Sequence, residues 1–141
     1  MHAVLQESVS GIYADLVTRP TGRVVRERIE RAMATAEGDL VVARIDFTGV
    51  GCIDYSCADE IVAKLLRDQP AVLVLMGLSD GHREAIEPVL AGHRLAALIE
   101  RPDGTLEAVG APEAASALLE ALVARRLAAP TAGGTLALTL A

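Results

Sequence analysis

Aromatic side chains are scarce in this chain of 141 residues, which contains one Phe, two Tyr and no Trp. Proteins that bind single-stranded nucleic acid need aromatic surfaces on which the bases stack and a basic groove for the phosphates. The chain also carries a formal net charge of −6, which opposes contact with a phosphate backbone. We therefore expect no nucleic acid among its direct partners.

Long apolar runs and a cysteine framework are also missing. The longest uncharged apolar stretch, residues 70–79, is far shorter than the roughly 20 residues that span a bilayer. The first residues lack the positive end and apolar stretch of a signal peptide. The two cysteines, Cys52 and Cys57, do not form the framework of a small secreted protein. These features predict a cytoplasmic protein with no membrane partner.

Strands and helices alternate along the chain, and 52% of its residues are hydrophobic. Alternating or continuous apolar runs predict strands at 3–8, 11–18, 40–47, 71–76, 95–100 and 105–109. Apolar residues at helical spacing predict helices that begin after Thr18 or Thr21, near Ser56, near Ser79 or Asp80, and at Pro112. Proline inside the third helix, Pro88, is expected to break or kink it. In the last helix we expect four side chains to point inward: Leu118, Leu119, Leu122 and Val123.

This order of elements predicts an α/β fold with a mixed β-sheet packed by about four α-helices. The length suits a single domain, which we place at residues 1–128. Residues 129–141 are expected to form a C-terminal tail that is either loose or an additional edge strand. The run at residues 71–76 (AVLVLM) has no polar position, which is typical of a central strand covered on both faces.

The segment from residue 44 to residue 60 (RIDFTGVGCIDYSCADE) holds the candidate functional residues. A strand ends there, Gly49 and Gly51 allow a tight reversal, and a helix follows. Ser56 and Asp59 have the spacing of a capping box, so the simplest interpretation makes Ser56 the N-cap. A serine at a helix start also lies near free backbone N–H groups, which suit a phosphate if one is added.

The same segment resembles the STAS domain of bacterial anti-sigma-factor antagonists, in which a strand ending Asp-hydrophobic-Ser/Thr precedes a hydrophobic-Asp-Ser-Ser-Gly helix start. Residues 46–48 (DFT) and 53–56 (IDYS) match that pattern in order and spacing. The chain is most similar to a STAS-like group with Asp-Phe-x-Gly-Val followed by Ser-Phe-Ala-Asp-Glu. Residues 46–50 and 56–60 fit this pattern, with Cys57 in place of Phe, and Thr18-Arg19 matches a Ser/Thr-Arg pair before the first helix.

The resemblance implies a regulatory protein–protein interaction module. The sequence shows no set of nucleophile, base and orienting residue, so we expect neither an enzyme nor a cofactor or metal, and an enzyme that uses Cys57 or Asp54 in a deep pocket at the helix start is a third alternative. In STAS proteins of this type, a serine kinase that is also the anti-sigma factor phosphorylates the serine at the helix start, which corresponds to Ser56. A kinase-like anti-sigma factor is then the expected partner. The partner surface would comprise five residues: Thr48, Asp54, Tyr55, Asp59 and Glu60. A homodimer is left open, and the alternative function is an oligomerisation or scaffold domain without a switch.

Other chemistries have weaker support in the sequence. Cys52 and Cys57 are expected to be small buried packing residues, with a reactive Cys57 thiol at the helix start as the alternative. A receiver domain is excluded because the only lysine, Lys64, lies on the predicted second helix. Gly49 and Gly51 fall one glycine short of a dinucleotide-binding fingerprint. His82 is expected near the start of the third helix as a capping residue rather than a catalytic base.

Overall fold

The computed structural model describes residues 2–9, 15–16, 18–35, 40–68 and 71–139. It confirms an α/β fold built on a mixed sheet. The strands are β1 (His2–Ser8), β2 (Leu40–Asp46), β3 (Ala71–Met76), β4 (Ala96–Glu100), β5 (Thr105–Gly110), β6 (Ala128–Pro130) and β7 (Leu136–Leu138). The helices are α1 (Arg19–Ala34), α2 (Tyr55–Ala58), α3 (Lys64–Asp68), α4 (Asp80–Gly92) and α5 (Pro112–Ala124). A π-helical turn, Asp59–Ala63, joins α2 to α3, so these form one continuous helical segment and the described residues contain four helical units.

The sheet has seven strands in the order β1-β2-β3-β4-β5-β7-β6. The first four strands run parallel to one another, and β4–β5, β5–β7 and β6–β7 pair antiparallel. The predicted strand at residues 11–18 lies mostly outside the described residues. The described part of it contains Leu16, which forms an isolated parallel bridge with Ile53.

The central position predicted for residues 71–76 is confirmed, because β3 has strands on both sides and apolar cores on both faces. Leu73 and Leu75 face the first core, which also contains buried residues of α1, the α2–α3 segment and α4. Val72 and Val74 face the second core, which contains α5 and the C-terminal strands. The three helical crossovers between parallel strands therefore lie on one face of the sheet, as a single crossover hand requires. The last third of the chain covers the other face.

Helix α1 begins as the sequence predicts. Thr18 is its N-cap, and the Thr18 side chain accepts a hydrogen bond from the Thr21 backbone N–H at 3.3 Å. Pro20 lies in the first turn, where its missing N–H costs little. The buried stripe is narrower than a full apolar face and consists of Gly22, Val25, Ile29 and Met33.

The later helices differ from the prediction at two positions. The helix does not break at Pro88, because α4 continues to Gly92. Pro88 and Glu84, whose carbonyl loses its partner, both lie on the exposed side, where water can satisfy that carbonyl. In α5, Leu122 is buried and Leu118 and Leu119 are half-buried, but Val123 is 47% exposed. A helical step of about 100° from Leu122 turns Val123 away from the sheet.

The predicted tail is not loose throughout, since it contains β7 and most of β6. Strand β7 lies between β5 and β6, so β6 forms the edge of the sheet and the C-terminal hairpin extends the sheet by two strands. None of the helices in the described part of the chain combines the length and apolar composition that crossing a bilayer requires.

Candidate functional site

The loop that leaves β2 turns sharply because Asp46 bonds to its own backbone two residues later. Asp46 Oδ1 accepts a hydrogen bond from the Thr48 backbone N–H at 2.9 Å. Gly77, just after β3, approaches this turn so closely that a Cβ there would lie 2.2 Å from Thr48 Oγ1, and its φ of +67° also favours glycine. The turn after β2 and the turn after β3 are therefore in close contact where the loop that leads to Tyr55 begins.

Asp54, and not Ser56, caps the helix that follows. Asp54 Oδ1 accepts hydrogen bonds from the Cys57 backbone N–H at 2.9 Å and from the Ser56 hydroxyl at 2.8 Å. The helix begins at Tyr55, so the predicted capping box of Ser56 and Asp59 is wrong. Both Asp54 and Ser56 have side chains that suit an N-cap, but the extended backbone at Asp54 (φ −96°, ψ 172°) assigns it that position.

The Asp54 carboxylate already occupies the place that the sequence assigned to an added phosphate. Partial burial alone would raise the pKa of Asp54, but hydrogen bonds from the Cys57 backbone and the Ser56 hydroxyl hold that pKa below its usual value. The group is therefore an anion at neutral pH and neutralises the free N–H groups of the first turn. A phosphate on Ser56 would compete with this carboxylate instead of filling an empty site.

Two sets of contacts fix the loop before Tyr55. On one side, the Leu16 backbone N–H donates to the Cys52 carbonyl at 2.8 Å, and the Asp54 N–H donates to the Leu16 carbonyl at 2.8 Å. The Cys52 N–H donates to Asp15 Oδ1 at 2.9 Å. These hydrogen bonds connect the loop to the segment that precedes α1. They therefore fix the backbone immediately before the start of α2.

His82 fixes the other side of the loop from the start of α4. Its Nδ1 accepts from the Ser79 backbone N–H at 3.1 Å, so the neutral ring carries its proton on Nε2. Nε2 then donates to the carbonyl oxygens of Val50 and Gly51, each at 3.1 Å. With the Ser79 hydroxyl accepting from the His82 backbone N–H, the pair forms a capping box, which confirms the capping role predicted for His82.

Tyr55 projects from this fixed loop. Its side chain is 58% exposed, whereas Phe47 is fully buried, so Tyr55 is the one exposed aromatic residue in the described part of the chain. Thr48 is also exposed, and Asp54 and Ser56 are half-buried. Of the five residues predicted for the partner surface, Thr48, Asp54 and Tyr55 are therefore at least partly exposed.

Glu60 does not belong to that surface, because its side chain is fully buried. Its Oε1 accepts hydrogen bonds from Lys64 Nζ at 2.6 Å and from Arg19 Nη1 at 2.9 Å. Glu60 Oε2 lies 3.4 Å from Arg26 Nε, and neither atom has a hydrogen-bond partner among the described residues. An unpaired Glu is almost never fully buried, which is why the sequence predicts an exposed Glu60. Its burial is possible because three cations, Arg19, Arg26 and Lys64, surround the carboxylate.

Asp59 extends the same cluster toward solvent. Its Oδ2 accepts from Arg19 Nη1 at 2.8 Å, and its Oδ1 lies 2.8 Å from Nε2 of His93, the C-cap of α4. Burial alone would raise the pKa values of Asp59 and Glu60, but hydrogen bonds from Arg19 and His93 to Asp59, and from Lys64 and Arg19 to Glu60, lower both. The cluster joins α1, the π-helical turn and α4 into one packed unit.

The alternative of a reactive Cys57 is wrong. The Cys57 side chain is fully buried, and its thiol donates to the Thr18 carbonyl at 2.7 Å. Burial, followed by the nearby Asp54 charge, raises the pKa of this thiol to about 11. Cys52 is exposed, so its expected role in packing is also wrong. Cys57 is a packing residue at a close contact, since a Cβ on Gly22 would lie 3.0 Å from its Cα.

A polar cleft of about 600 Å³ lies beyond the carboxyl ends of β2, β3 and β4 and was not predicted from the sequence. Its three arginines are already paired: Arg44 with Glu100 at 2.7 Å, and both Arg83 and Arg101 with Glu107, at 2.8 and 3.0 Å. The described residues that line it include no cysteine, histidine or serine. The one signal in the sequence is a charged residue at or within four residues of each strand end (Asp46, Asp80 and Glu100), where ligands of parallel sheets commonly bind.

No group of three or more histidine, cysteine or acidic side chains with the geometry to hold a metal ion occurs among the described residues. Comparisons with protein-family models, with curated proteins and with solved structures found no match to this chain.

Proposed function

We propose that this chain is a regulatory protein–protein interaction module, similar to anti-sigma-factor antagonists, and that phosphorylation of Ser56 switches it. The observation that carries the proposal is Tyr55, a 58% exposed aromatic side chain at a helix start. Tyrosine is enriched among the residues that dominate binding energy at protein interfaces. A kinase-like anti-sigma factor is the partner that the resemblance suggests.

The fixed loop supports this role because it reduces the entropy lost on binding. The cap by Asp54, the bridge between Leu16 and Ile53, and the His82 contacts all hold the backbone that carries Tyr55. An aromatic ring on an ordered backbone has two side-chain torsions left to restrict, so most of its contact area contributes to affinity. Tyr55 is therefore suited to be the anchor of the partner surface.

Ser56 lies where an added phosphate would disturb that anchor. Its hydroxyl donates to Asp54 Oδ1 at 2.8 Å, and a phosphate removes this donor and places about −1.5 to −2 charges beside the capping carboxylate. Like charges about 4 Å apart near a protein surface repel by an energy on the order of 1–4 kcal/mol. The phosphorylated chain would lose the Asp54 cap or rotate its first turn, and either change moves Tyr55.

The experiment is affinity capture from the native host with phosphosite mapping, using four proteins: wild type, Tyr55→Ala, Ser56→Asp and Val24→Ala. We expect Tyr55→Ala to weaken partner binding by about 30-fold, as loss of a binding hot spot does. Val24, 41% exposed on α1, is the matched control and should bind like wild type. A Ser56→Asp protein that binds the same partners with wild-type affinity would remove the switch, whereas unchanged binding by Tyr55→Ala would remove the surface.

The oligomerisation or scaffold alternative is favoured by a different observation. An apolar depression of about 440 Å³ lies between α5 and β7, lined by Leu119, Val123, Ala124 and Leu136 together with Glu120. Size-exclusion chromatography separates the two functions, because a scaffold associates with itself whatever stands at position 56. We also place the module in the cytoplasm, where its two free cysteines remain reduced.

A further inference from the structure

The start of α1 packs directly on the start of the α2–α3 segment. The Cys57 thiol donates to the Thr18 carbonyl at 2.7 Å, so the backbone that leads into α1 lies beside the residue that follows Ser56. Within the first turn of α1, an added Cβ on Gly22 would lie 3.0 Å from the Cα of Cys57. The two helix starts are therefore in close contact, and Arg19, the first residue of α1, extends from a point near Ser56.

Two carboxylates hold Arg19 one helical turn after Ser56. Arg19 Nη1 donates to Asp59 Oδ2 at 2.8 Å and to Glu60 Oε1 at 2.9 Å. Asp59 still has α-helical backbone angles (φ −60°, ψ −49°), so Asp59 and Glu60, three and four residues after Ser56, are its helical neighbours. Side chains on a helix lean toward its N-terminus, so the guanidinium that both carboxylates bind lies on their Ser56 side.

Arg19 is the cation of this cluster that is best able to change its partner. Its side chain is 43% exposed, compared with 30% for Lys64 and 16% for Arg26. When Arg19 leaves, the fully buried Glu60 keeps Lys64 at 2.6 Å and Arg26 at 3.4 Å. The buried carboxylate therefore stays paired without Arg19.

We propose that Arg19 is the phosphate-binding residue of the Ser56 switch, and that its guanidinium moves from Asp59 and Glu60 to the phosphate on Ser56. A phosphate offers three strong acceptor oxygens and about −1.5 to −2 charges, whereas each carboxylate carries a single charge. Its oxygens also match the planar guanidinium, which binds them through two parallel hydrogen bonds. The phosphate is thus held by Arg19, because Asp54 already occupies the N–H groups of the helix start.

The inference rests on the proposed function, in which a kinase transfers the terminal phosphoryl group of a nucleoside triphosphate to Ser56 Oγ. The hydroxyl proton is released in that step, and the nucleoside diphosphate leaves. Ser56 then no longer donates to Asp54 Oδ1, and its phosphate turns toward α1. Tyr55 precedes Ser56 in the same turn, so its ring changes orientation with it. The arginine also leaves Asp59, so phosphorylation changes both the exposed ring and the charge beside it.

The test introduces phosphoserine at position 56 during synthesis by amber suppression, so it needs neither a host kinase nor a partner. Phosphorus-31 NMR follows the titration of the phosphate, whose second pKa is about 6 in the absence of neighbours. A nearby guanidinium lowers this pKa because it favours the doubly charged form. We expect the phosphate pKa to be about 0.5–1 unit higher in Arg19→Gln than in the unsubstituted chain. Arg19→Lys, which keeps the charge but not the paired donors, should give an intermediate value.

Arg28→Gln is the matched control. It removes the same charge from an exposed position of α1 that is nine residues from Arg19, which is about 13.5 Å along the helix and about 180° around it. Arg28 forms no ion pair in the described part of the chain. The phosphate pKa should not change in this variant, because exposed charges farther apart than the Debye length of about 8–10 Å are largely screened. Circular dichroism verifies that each variant is folded.

A second measurement needs no substitution at position 19. The guanidinium nitrogen-15 signals of Arg19 should shift when position 56 carries the phosphate, because the acceptor of its hydrogen bonds changes, and those of Arg28 should not. Equal phosphate pKa values in the unsubstituted chain and in Arg19→Gln overturn the proposal. An equal rise in Arg28→Gln, or Arg19 signals that do not shift, overturns it as well.

These outcomes are distinct from failure of the proposed function. If the NMR measurements show no contact between Arg19 and the phosphate, the partner surface around Tyr55 and the switch at Ser56 are unaffected. Affinity capture from the host tests those two, and a Ser56 that carries no phosphate there overturns the switch itself.

Discussion

Glutamine in place of the buried Glu60 keeps the shape of the side chain and removes its charge. Arg19, Arg26 and Lys64 then lose the anion that they share. Removing one member of a buried ion pair costs about 3–5 kcal/mol, and the partial exposure of the three cations reduces that cost. We expect the free energy of unfolding of Glu60→Gln to fall by about 2–3 kcal/mol at pH 7, which lowers Tm by roughly 6–12 °C in a domain of this size.

The pH dependence provides a second measure of the same interaction. Because the folded state lowers the pKa of Glu60, the carboxylate contributes stability above its unfolded pKa of about 4.3 and loses that contribution as pH falls toward the folded value. The difference in stability between wild type and Glu60→Gln should therefore be full at pH 7 and shrink below about pH 4.

Urea denaturation at pH 7, 5, 4 and 3, followed by circular dichroism, measures both effects. Glu27→Gln is the matched control, since Glu27 is an exposed residue of α1 that forms no ion pair in the described part of the chain. We expect it to change stability by less than about 0.5 kcal/mol. A Glu60→Gln protein as stable as this control, or a difference that grows as pH falls, would refute the assignment of a stabilising charge cluster.

Three further predictions concern packing and the loop. Gly22→Ala should lower the free energy of unfolding by about 1–2 kcal/mol despite the better helix propensity of alanine, because its Cβ would lie 3.0 Å from the Cα of Cys57. Gly92→Ala is the control and should not lower stability, because the space around Gly92 is open. Thermal melts compare the two variants. His82→Leu should raise the rate of amide hydrogen exchange in the loop after β2, because it removes the side chain that donates to the carbonyl oxygens of Val50 and Gly51. An unchanged exchange rate in that loop would show that His82 does not hold it in place. Native thiol titration should detect Cys52 alone and add Cys57 in urea, and two reactive thiols in the native protein would contradict its burial.

The parts of the fold that the sequence predicted are those set by local pattern. The unbroken apolar run of β3 indicated a strand with both faces covered, and Thr18 with Pro20 indicated the start of α1. Ser79 and His82 likewise marked the start of α4. In each case the residues that determine the structure lie within one turn or one strand, so their spacing alone carries the information.

The errors at the candidate site arise where distant segments decide the local structure. Asp54 and Ser56 are equally suitable N-caps in sequence, and the pairing of Leu16 with Ile53 orients the chain so that Asp54 takes the position. Glu60 is buried because Arg19, more than 40 residues earlier, brings a cation to it. Periodicity gives no information about such partners, so neither the cap nor the burial could be predicted.

The order of the first four strands has a consequence for synthesis of the chain on the ribosome. Once β4 has formed, α1, the α2–α3 segment and α4 can already close the first core. The other face of the sheet, with Val42, Val74 and Leu98, is covered by residues 112–138, which are synthesised after β4. The nascent chain thus carries an open apolar face until α5 and the C-terminal hairpin emerge. In that interval, chaperone binding and premature association between neighbouring nascent chains compete with folding.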